Sequence, residues 1–398
     1  MSIDIDAVRR DTPGCAFVNH LNNAGAGLQP SPVVKTVVDY LQAEALGGGY
    51  ETAAERVGEL ESVYAHASAL LGGKPENWAF VESATRGWNA GFSALRFKPG
   101  DRILTTQAEY SSNMGGLLRA REIQGAEIVV VPDDESGQVD VAALESMLDE
   151  RTRLVSLTHV PTQGGLVNPA SEVGRLLRGT SVLYQVDACQ SVGQLPVNVD
   201  EFGCDILSFT GRKFVRGPRG TGMVWASDTA LAEMGNPAGV DGWGADWTEP
   251  MTITPHDSAR RFEPFEVFFA GKVGLAAALE YARSIGIDEI AERNRKLSSR
   301  MRQSLSELPG VTVRDKGREL SALATFTIEG HDPSAVAELL RQQGINVSTS
   351  GLLSARLDFP ERGIEQVVRA SVHYYNTEEE VDELVAAVAD LQGSRAVG

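Results

Sequence analysis

Cysteine, histidine and long apolar runs are scarce in this sequence, and each shortage excludes a class of protein. The three cysteines, Cys15, Cys189 and Cys204, form neither a disulfide framework nor a Cys-x-x-Cys metal pair. The six histidines are scattered without metal-ligand spacing. No apolar run approaches the ~18 residues of a membrane span, and the N-terminus lacks the basic and apolar segments of a signal peptide. We therefore expect a cytoplasmic protein that binds no metal and no membrane.

Positive charge is also in short supply. Aspartate and glutamate number 54 against 36 lysines and arginines, which gives a net charge of -18. Nucleic acid and anionic membranes are therefore poor partners. The composition is otherwise that of a globular protein, and 398 residues are too many for one compact core, so we expect two domains.

Short apolar runs alternate with helical patterns from about residue 79 onwards. This alternation predicts an α/β fold with a mostly parallel sheet that is covered on both faces. The predicted strands are Ala79–Glu82, Arg102–Thr106, Glu127–Val131, Leu154–His159, Ser181–Val186, Asp205–Phe209 and Gly222–Ala226. We assign residues 17–262 to a large domain that contains this seven-stranded sheet.

The pattern changes after about residue 260. Leu323–Ile328 and Val367–Tyr374 have the alternation of strands, and helical spacing of apolar residues precedes and follows them. Asp332-Pro333 begins a helix that Gly344 ends. We assign residues 263–398, together with residues 1–16, to a smaller α+β domain.

One acid and one amine follow two neighbouring predicted strands. Asp187 comes at the end of the first run and Lys213 shortly after the second. The carboxyl ends of parallel strands face the ligand crevice, so both groups would meet over one pocket. Pyridoxal phosphate needs this pair, because a lysine forms a Schiff base with its aldehyde and an acid keeps its ring nitrogen protonated. Taken alone, the pair is better explained as an ordinary strand-end acid and a surface lysine; the other motifs reverse that judgement.

Three further features favour the same cofactor. Ser83-Ala84-Thr85 follows a strand and opens a helix, where backbone N–H groups bind phosphate. Arg212 and the glycine-rich turn after Lys213 suit a phosphate as well. Gln190 could bond the ring hydroxyl, and Tyr110, which also follows a strand, could stack on a flat ring or be simply half-buried.

Arg369 lies inside an apolar strand pattern, where an unpaired charge is expensive. Either an acid of the protein or the carboxylate of a substrate must pair with it. We favour the substrate.

The order and spacing of these elements resemble the class V aminotransferase family. This family is a fold type I branch of pyridoxal phosphate enzymes that includes cysteine desulfurases, selenocysteine lyases and isopenicillin N epimerase. The resemblance covers roughly residues 18–392. The matching motifs are Leu21-Asn-Asn-Ala-Gly25, Ala84-Thr85, Glu109-Tyr-Ser-Ser-Asn113, His159-Val-Pro-Thr-Gln-Gly-Gly-Leu-Val-Asn-Pro169, Asp187-x-x-Gln190, Thr210-Gly-Arg-Lys213 and Arg369-Ala-Ser…Asn376-Thr-Glu-Glu.

The resemblance implies a site and a fold. Lys213 would be the Schiff-base lysine, Asp187 the partner of the ring nitrogen and Arg369 the carboxylate binder. The expected cofactor-binding residues are Ala84, Thr85, Tyr110, Thr162, Asp187, Gln190, Thr210, Arg212 and Lys213, and the expected substrate-binding residues are Asn23, Arg369 and Arg356. A homodimer with the site near the interface is expected by analogy.

Departures from the family pattern narrow the function. Thr162 stands where an asparagine is usual, Arg212 replaces a histidine, and Phe269 replaces a threonine, which puts in doubt the phosphate contact from a neighbouring subunit. The loop Val347–Asp358, where desulfurases carry their persulfide-forming cysteine, contains no cysteine. A desulfurase needs a thiolate there, so this loop argues against persulfide transfer. The variants Tyr110, His159-Val-Pro-Thr162 and Arg369-Ala-Ser-Val-His373 are similar to the sub-branch that includes the ergothioneine-pathway C–S lyase.

Three functions remain open from the sequence. The first is a β-lyase on an S-substituted cysteine or its sulfoxide, with Lys213 as the base at Cα. The second is an aminotransferase or epimerase that uses the same base, and the third is a protein that binds the cofactor without turnover. The candidate walls of the substrate pocket are Asn23, Trp88, His159, Trp243, Phe268 and Arg356.

Overall fold

The computed structural model describes residues 3–393, and helices and strands alternate along most of this length. The helices are α1 Ile5–Arg10, α2 Ser31–Gly47, α3 Gly49–Glu55, α4 Val57–Leu71, α5 Ala84–Ala94, α6 Ser111–Gln124, α7 Val141–Met147, α8 Ala170–Leu177, α9 Val199–Phe202, α10 Asp228–Glu233, α11 Phe269–Ile285, α12 Ile287–Ser306, α13 Pro333–Gln342 and α14 Glu378–Gly393. The strands are β1 Asn19–His20, β2 Trp78–Val81, β3 Arg102–Thr106, β4 Glu127–Val131, β5 Thr152–Thr158, β6 Leu183–Asp187, β7 Ile206–Thr210, β8 Gly222–Ala226, β9 Ala245–Glu249, β10 Thr252–Pro255, β11 Val311–Val313, β12 Leu323–Ile328, β13 Ile345–Asn346, β14 Ser348–Gly351 and β15 Gln366–Ser371.

The central element is a seven-stranded sheet in the order β2-β8-β7-β6-β5-β3-β4. Strands β3 to β7 are mutually parallel, whereas β8 is antiparallel to both of its neighbours. The reversal at β8 follows from its connection, because the segment between β7 and β8 is a turn without a crossover helix. The carboxyl ends of β5, β6 and β7 therefore lie side by side at one edge of the sheet.

Both faces of this sheet are covered, as the apolar runs predict. Successive residues of a strand point to opposite faces. Leu154 and Ile206 pack with α5 and α6 on one face, while Val155 and Leu207 pack with α4, α8 and α11 on the other. The predicted mostly parallel sheet is thus present, with β5 and β6 displaced by a few residues from their predicted starts.

A second, four-stranded antiparallel sheet forms from the C-terminal part in the order β11-β12-β15-β14. Helix α13 begins as its sequence predicts, since the side chain of Asp332 accepts a hydrogen bond from the N–H of Ala335. Gly344 follows α13 with a φ of 80°, a left-handed conformation that suits glycine. Helices α12, α13 and α14 pack on this sheet and on each other.

The chain termini and α11 connect the two sheets. Strand β1 pairs in parallel with β13, and Arg9 of α1 forms an ion pair with Glu380 of α14 at 2.8 Å. Helix α11 packs on α2 and α4 and shares the core of the seven-stranded sheet. A domain boundary at residues 262 and 263 stays a prediction. Among the helices of the described residues, none is long and apolar enough to cross a membrane.

Candidate active site

A pocket opens where the carboxyl ends of β5, β6 and β7 meet the amino ends of α5 and α6. It brings together residues that are far apart in the sequence. The pocket is lined by all nine predicted cofactor-binding residues, Ala84, Thr85, Tyr110, Thr162, Asp187, Gln190, Thr210, Arg212 and Lys213.

Asp187 is the last residue of β6, and its carboxylate is held in a fixed orientation. One oxygen accepts a hydrogen bond from the N–H of Cys189 and the other from Nδ2 of Asn113, both at 2.8 Å. Burial raises the pKa of Asp187, and these two hydrogen bonds oppose that rise because they stabilise the carboxylate. The carboxylate is rigid and poorly solvated, which suits it to pair with a cationic ring nitrogen.

Lys213 reaches the same pocket from the turn after β7. Its side chain is buried, and Nζ lies 3.3 Å from the sulfur of Cys189. Burial lowers the pKa of Lys213; the cations Arg212 and Arg369 add to this effect, and Cys189 and Asp187 oppose it. The amine is therefore more often neutral, and hence nucleophilic and basic, than a surface lysine.

Arg369 of β15 supplies a buried cation at the edge of the pocket. Its Nε donates to Oγ of Ser348 at 3.1 Å, and Nη1 donates to both oxygens of Thr162. In residues 3–393, no carboxylate oxygen lies within 4.0 Å of its guanidinium. Burial, together with Arg212, lowers the pKa of Arg369 to about 10. A buried guanidinium without an anion is suited to bind a carboxylate from outside.

The opposite end of the pocket has the features of a phosphate site. The side chain of Ser83 caps α5 by accepting from the N–H of Arg86 at 3.2 Å, and Ala84 and Thr85, the first residues of the helix, line the pocket. Arg212 and Gly220 line the same cavity. A helix N-terminus and an arginine together favour a dianion.

One buried polar atom on the wall has no hydrogen-bond partner among residues 3–393. Oε1 of Gln190 is buried without a hydrogen bond, although Nε2 of this side chain reaches Ala24 and Thr162. A buried acceptor without a hydrogen bond costs free energy unless a ligand donates one to it. These features together fit pyridoxal phosphate. They are an available amine, a fixed carboxylate, an anion site and the amide oxygen of Gln190.

None of the three predicted substrate residues is among the lining residues, although Arg369 donates to Thr162, which is one of them. Asn23 is fully buried, and its amide is engaged by the carbonyl of Ser371 and the hydroxyl of Tyr375. Arg356 is exposed and lies outside the set of lining residues. A substrate contact from either one stays a prediction.

The other candidate wall residues lie elsewhere. Trp88 is fully buried and stacks on Phe92 at 4.7 Å, so it belongs to the core. His159 lines a different cavity, where its ring contacts the edge of Phe202. Trp243 and Phe268 are 54% and 43% exposed and do not line the pocket in one chain.

Two residues that orient the site, Asn113 and Glu109, were not among the predicted site residues. Asn113 donates to Asp187 at 2.8 Å, and the buried carboxylate of Glu109 accepts a second hydrogen bond from the same amide nitrogen at 2.9 Å. Their spacing of four residues at the start of α6 could have indicated that they are neighbours. Nothing in the spacing indicates that they reach Asp187.

Residues 19–384 match the family model described as aminotransferase class V. The chain belongs to this family. A probable cysteine desulfurase of Methanothermobacter thermautotrophicus is 30% identical over 392 residues, which are 97% of this chain and 98% of that protein. The apo structure of a cysteine desulfurase from Thermococcus onnurineus NA1 superposes with a TM-score of 0.90 at 27% identity, covering 98% of both chains. The structure of the cystine C–S lyase C-DES with cysteine persulfide shares the fold, with a TM-score of 0.85 at 24% identity over 95% of this chain and 99% of that one.

Family membership confirms four of the predictions. The protein has the fold type I architecture, it is an enzyme of the class V aminotransferase family, its cofactor is pyridoxal phosphate, and it is a lyase of the C–S type in general. The substrate and the role of each residue are a separate question.

Proposed function

We propose that this enzyme cleaves the C–S bond of S-substituted cysteines, or of their sulfoxides, by β-elimination. The products would be a thiol or a sulfenate, together with pyruvate and ammonia. The observation that carries the proposal is the composition of the loop next to Arg369. Ser348 begins this loop and accepts a hydrogen bond from Arg369, yet Val347–Asp358 contains no cysteine to receive sulfur.

Cys189 is a poor substitute for such a sulfur acceptor. Burial raises the pKa of its thiol, and a thiolate is the form that attacks sulfur. The sulfur group of the substrate would instead leave with the bonding electron pair.

When bound, pyridoxal phosphate supplies an aldehyde that condenses with amines and a ring that takes up the electron pair released at Cα. Lys213 would hold the aldehyde end and Asp187 the ring nitrogen. Oε1 of Gln190 would accept a hydrogen bond from the ring hydroxyl. Ala84, Thr85 and Arg212 would hold the phosphate.

Two side chains of this site would have separate roles in the reaction. Arg369 binds the α-carboxylate and so fixes the direction of the Cα–H bond. Lys213, whose pKa burial lowers, would remove the proton from Cα as a general base. The C–S bond then breaks, and the released 2-aminoacrylate is hydrolysed to pyruvate and ammonia.

A panel of S-substituted cysteines and their sulfoxides tests this function through pyruvate release. We expect pyruvate from at least one conjugate and no protein-bound persulfide from L-cysteine. Amino-group exchange with a keto acid would identify an aminotransferase instead, and inversion at Cα without pyruvate would identify an epimerase. Trapping of the cofactor without turnover of any amino acid would identify a binding protein.

We also propose a cytoplasmic homodimer. An exposed apolar surface on the β9–β10 hairpin supports a second copy, with Trp247 76% and Met251 95% exposed. Phe265 extends this surface and contacts the rings of Tyr50 and Trp243. Exposed aromatic groups of this kind favour an interface. The three cysteines are free thiols, which suits a reducing compartment.

A further inference from the structure

A second carboxylate, Glu109, is buried directly behind Asp187. It is 5% exposed and lies between the end of β3 and the start of α6. Five groups donate hydrogen bonds to it. They are Thr105 Oγ1 at 2.7 Å and Ser156 Oγ at 2.9 Å on Oε2, and Thr158 Oγ1 at 2.7 Å, the N–H of Tyr110 at 2.8 Å and Asn113 Nδ2 at 2.9 Å on Oε1.

The hydrogen-bond partners of Glu109 are neutral groups that donate to its two oxygens. The amide of Asn113 and the backbone N–H of Tyr110 can only donate, and both point at Oε1. Three hydroxyl groups complete the coordination, and no lysine or arginine nitrogen within residues 3–393 lies within 4.0 Å of this carboxylate. The carboxylate of Glu109 is therefore fixed in position by five hydrogen bonds from neutral groups.

Asn113 links the two carboxylates. Its Nδ2 carries two hydrogens, and these go to Oε1 of Glu109 at 2.9 Å and to Oδ2 of Asp187 at 2.8 Å. The negative charge of Glu109 raises the pKa of Asp187, whereas the cation Lys213 on the other side lowers it. Any proton shared between Asp187 and a ligand therefore feels both negative charges.

We propose that Glu109 is a positioning residue that acts through Asn113 and Asp187 to strengthen the hold of the site on the ring-nitrogen proton of the cofactor. The inference rests on the proposed pairing of Asp187 with that nitrogen. Two anions behind the ring stabilise a protonated ring more than one does.

The variant Glu109→Gln tests the charge while keeping the shape. The amide oxygen can take the place of Oε1 towards Asn113 and Tyr110, and the amide nitrogen can donate to the hydroxyls of Thr105 and Ser156. Glu263→Gln is the control for loss of a buried carboxylate elsewhere, because Glu263 is bonded to Tyr64, Arg260 and the backbone of Phe80 and does not line the pocket.

The measurement is the titration of the ring nitrogen in protein that carries borohydride-reduced, ¹⁵N-labelled cofactor, followed by NMR. We expect the ring-nitrogen pKa to fall by about one unit in Glu109→Gln and by more in Asp187→Asn, and to stay unchanged in Glu263→Gln. An unchanged value in Glu109→Gln beside a lowered value in Asp187→Asn would overturn this inference and leave the role of Asp187 standing. An unchanged value in Asp187→Asn would overturn both.

Discussion

Two lysines are buried in this protein under very different conditions. Lys272 of α11 is 6% exposed, and its Nζ donates to the hydroxyl of Tyr64 at 2.5 Å. That hydroxyl in turn donates to Glu263 at 2.6 Å, so the charge of Lys272 is compensated within the core. Lys213 is 8% exposed, and its nearest polar partner is the thiol of Cys189.

Burial lowers the pKa of both lysines, and each has neighbours that act in both directions. Glu263 raises the pKa of Lys272 and Arg260 lowers it, whereas Cys189 and Asp187 raise the pKa of Lys213 and Arg212 and Arg369 lower it. The difference lies in the hydrogen bonds. Lys272 donates to a hydroxyl that itself donates to Glu263, whereas Lys213 donates to the sulfur of Cys189 and faces the pocket.

The strongest test of this comparison replaces each of the two lysines in turn. Lys213→Ala should abolish the borohydride-trapped adduct and lower the rate of pyruvate release by at least about 10³-fold, because the general base is lost. Lys272→Met should keep the adduct and the rate, and lower the free energy of unfolding in urea by about 2 kcal/mol through loss of a buried charged hydrogen bond. An adduct in Lys213→Ala would exclude this lysine as the anchor.

Two buried arginines offer the next test. Arg302 pairs with Asp315 at 2.7 Å, whereas the hydrogen-bond partners of Arg369 in the described part of the chain are neutral, Ser348 and Thr162. Arg369→Leu should lower kcat/KM for the amino acid substrate by about 100-fold, since losing one partner of a buried charge pair costs about 3 kcal/mol.

The two arginine variants should rank in the reverse order in stability, with Arg302→Leu losing more than Arg369→Leu. Arg302→Leu leaves the buried carboxylate of Asp315 without its cation and should lower the free energy of unfolding by about 3 kcal/mol. Its kcat/KM should be nearly unchanged. Arg369→Leu should leave the midpoint of urea unfolding almost where it is. A large loss of stability with unchanged kcat/KM in Arg369→Leu would make this arginine structural.

A smaller effect, with a definite direction, is expected on the pH at which Lys213 loses its proton. A neighbouring cation disfavours the ammonium form, so Arg212→Gln should raise the pH at which Lys213 becomes half-deprotonated by about one unit. Acetylation of cofactor-free protein across a pH series, read by mass spectrometry of the Lys213 and Lys98 peptides, measures this shift. Lys98 is exposed and should react alike in both proteins. A shift of Lys213 to lower pH would show that Arg212 does not act as a nearby cation.

Much of the site could be predicted from the sequence because it lies at strand ends. Asp187 and Lys213 follow β6 and β7, and the carboxyl ends of parallel strands must share an edge. The same logic placed Tyr110 and Thr85 at helix starts on that edge. The confirmed sheet therefore accounts for most of the residues that line the pocket.

What could not be predicted depends on side-chain direction. Thr158 and His159 are adjacent, but Thr158 lines the cofactor pocket and His159 lines the cavity on the other side. Neighbours along an extended segment point to opposite faces, and a strand end known only to within one or two residues does not fix which is which. The link from Glu109 to Asp187 is likewise a contact between distant segments, which the local pattern does not contain.

The smallest effect concerns the thiol beside Lys213. Cys189→Ala removes the sulfur at 3.3 Å from Nζ and leaves a small cavity next to the amine. Since burial raises the pKa of this thiol, it holds its proton and fills space rather than attacking substrate. We expect kcat/KM for pyruvate release to change by less than about 3-fold and stability to fall by about 1 kcal/mol. A loss of activity comparable to that of Lys213→Ala would instead make Cys189 a participant in the chemistry, and the neutral amine alone would no longer explain what distinguishes Lys213 from Lys272.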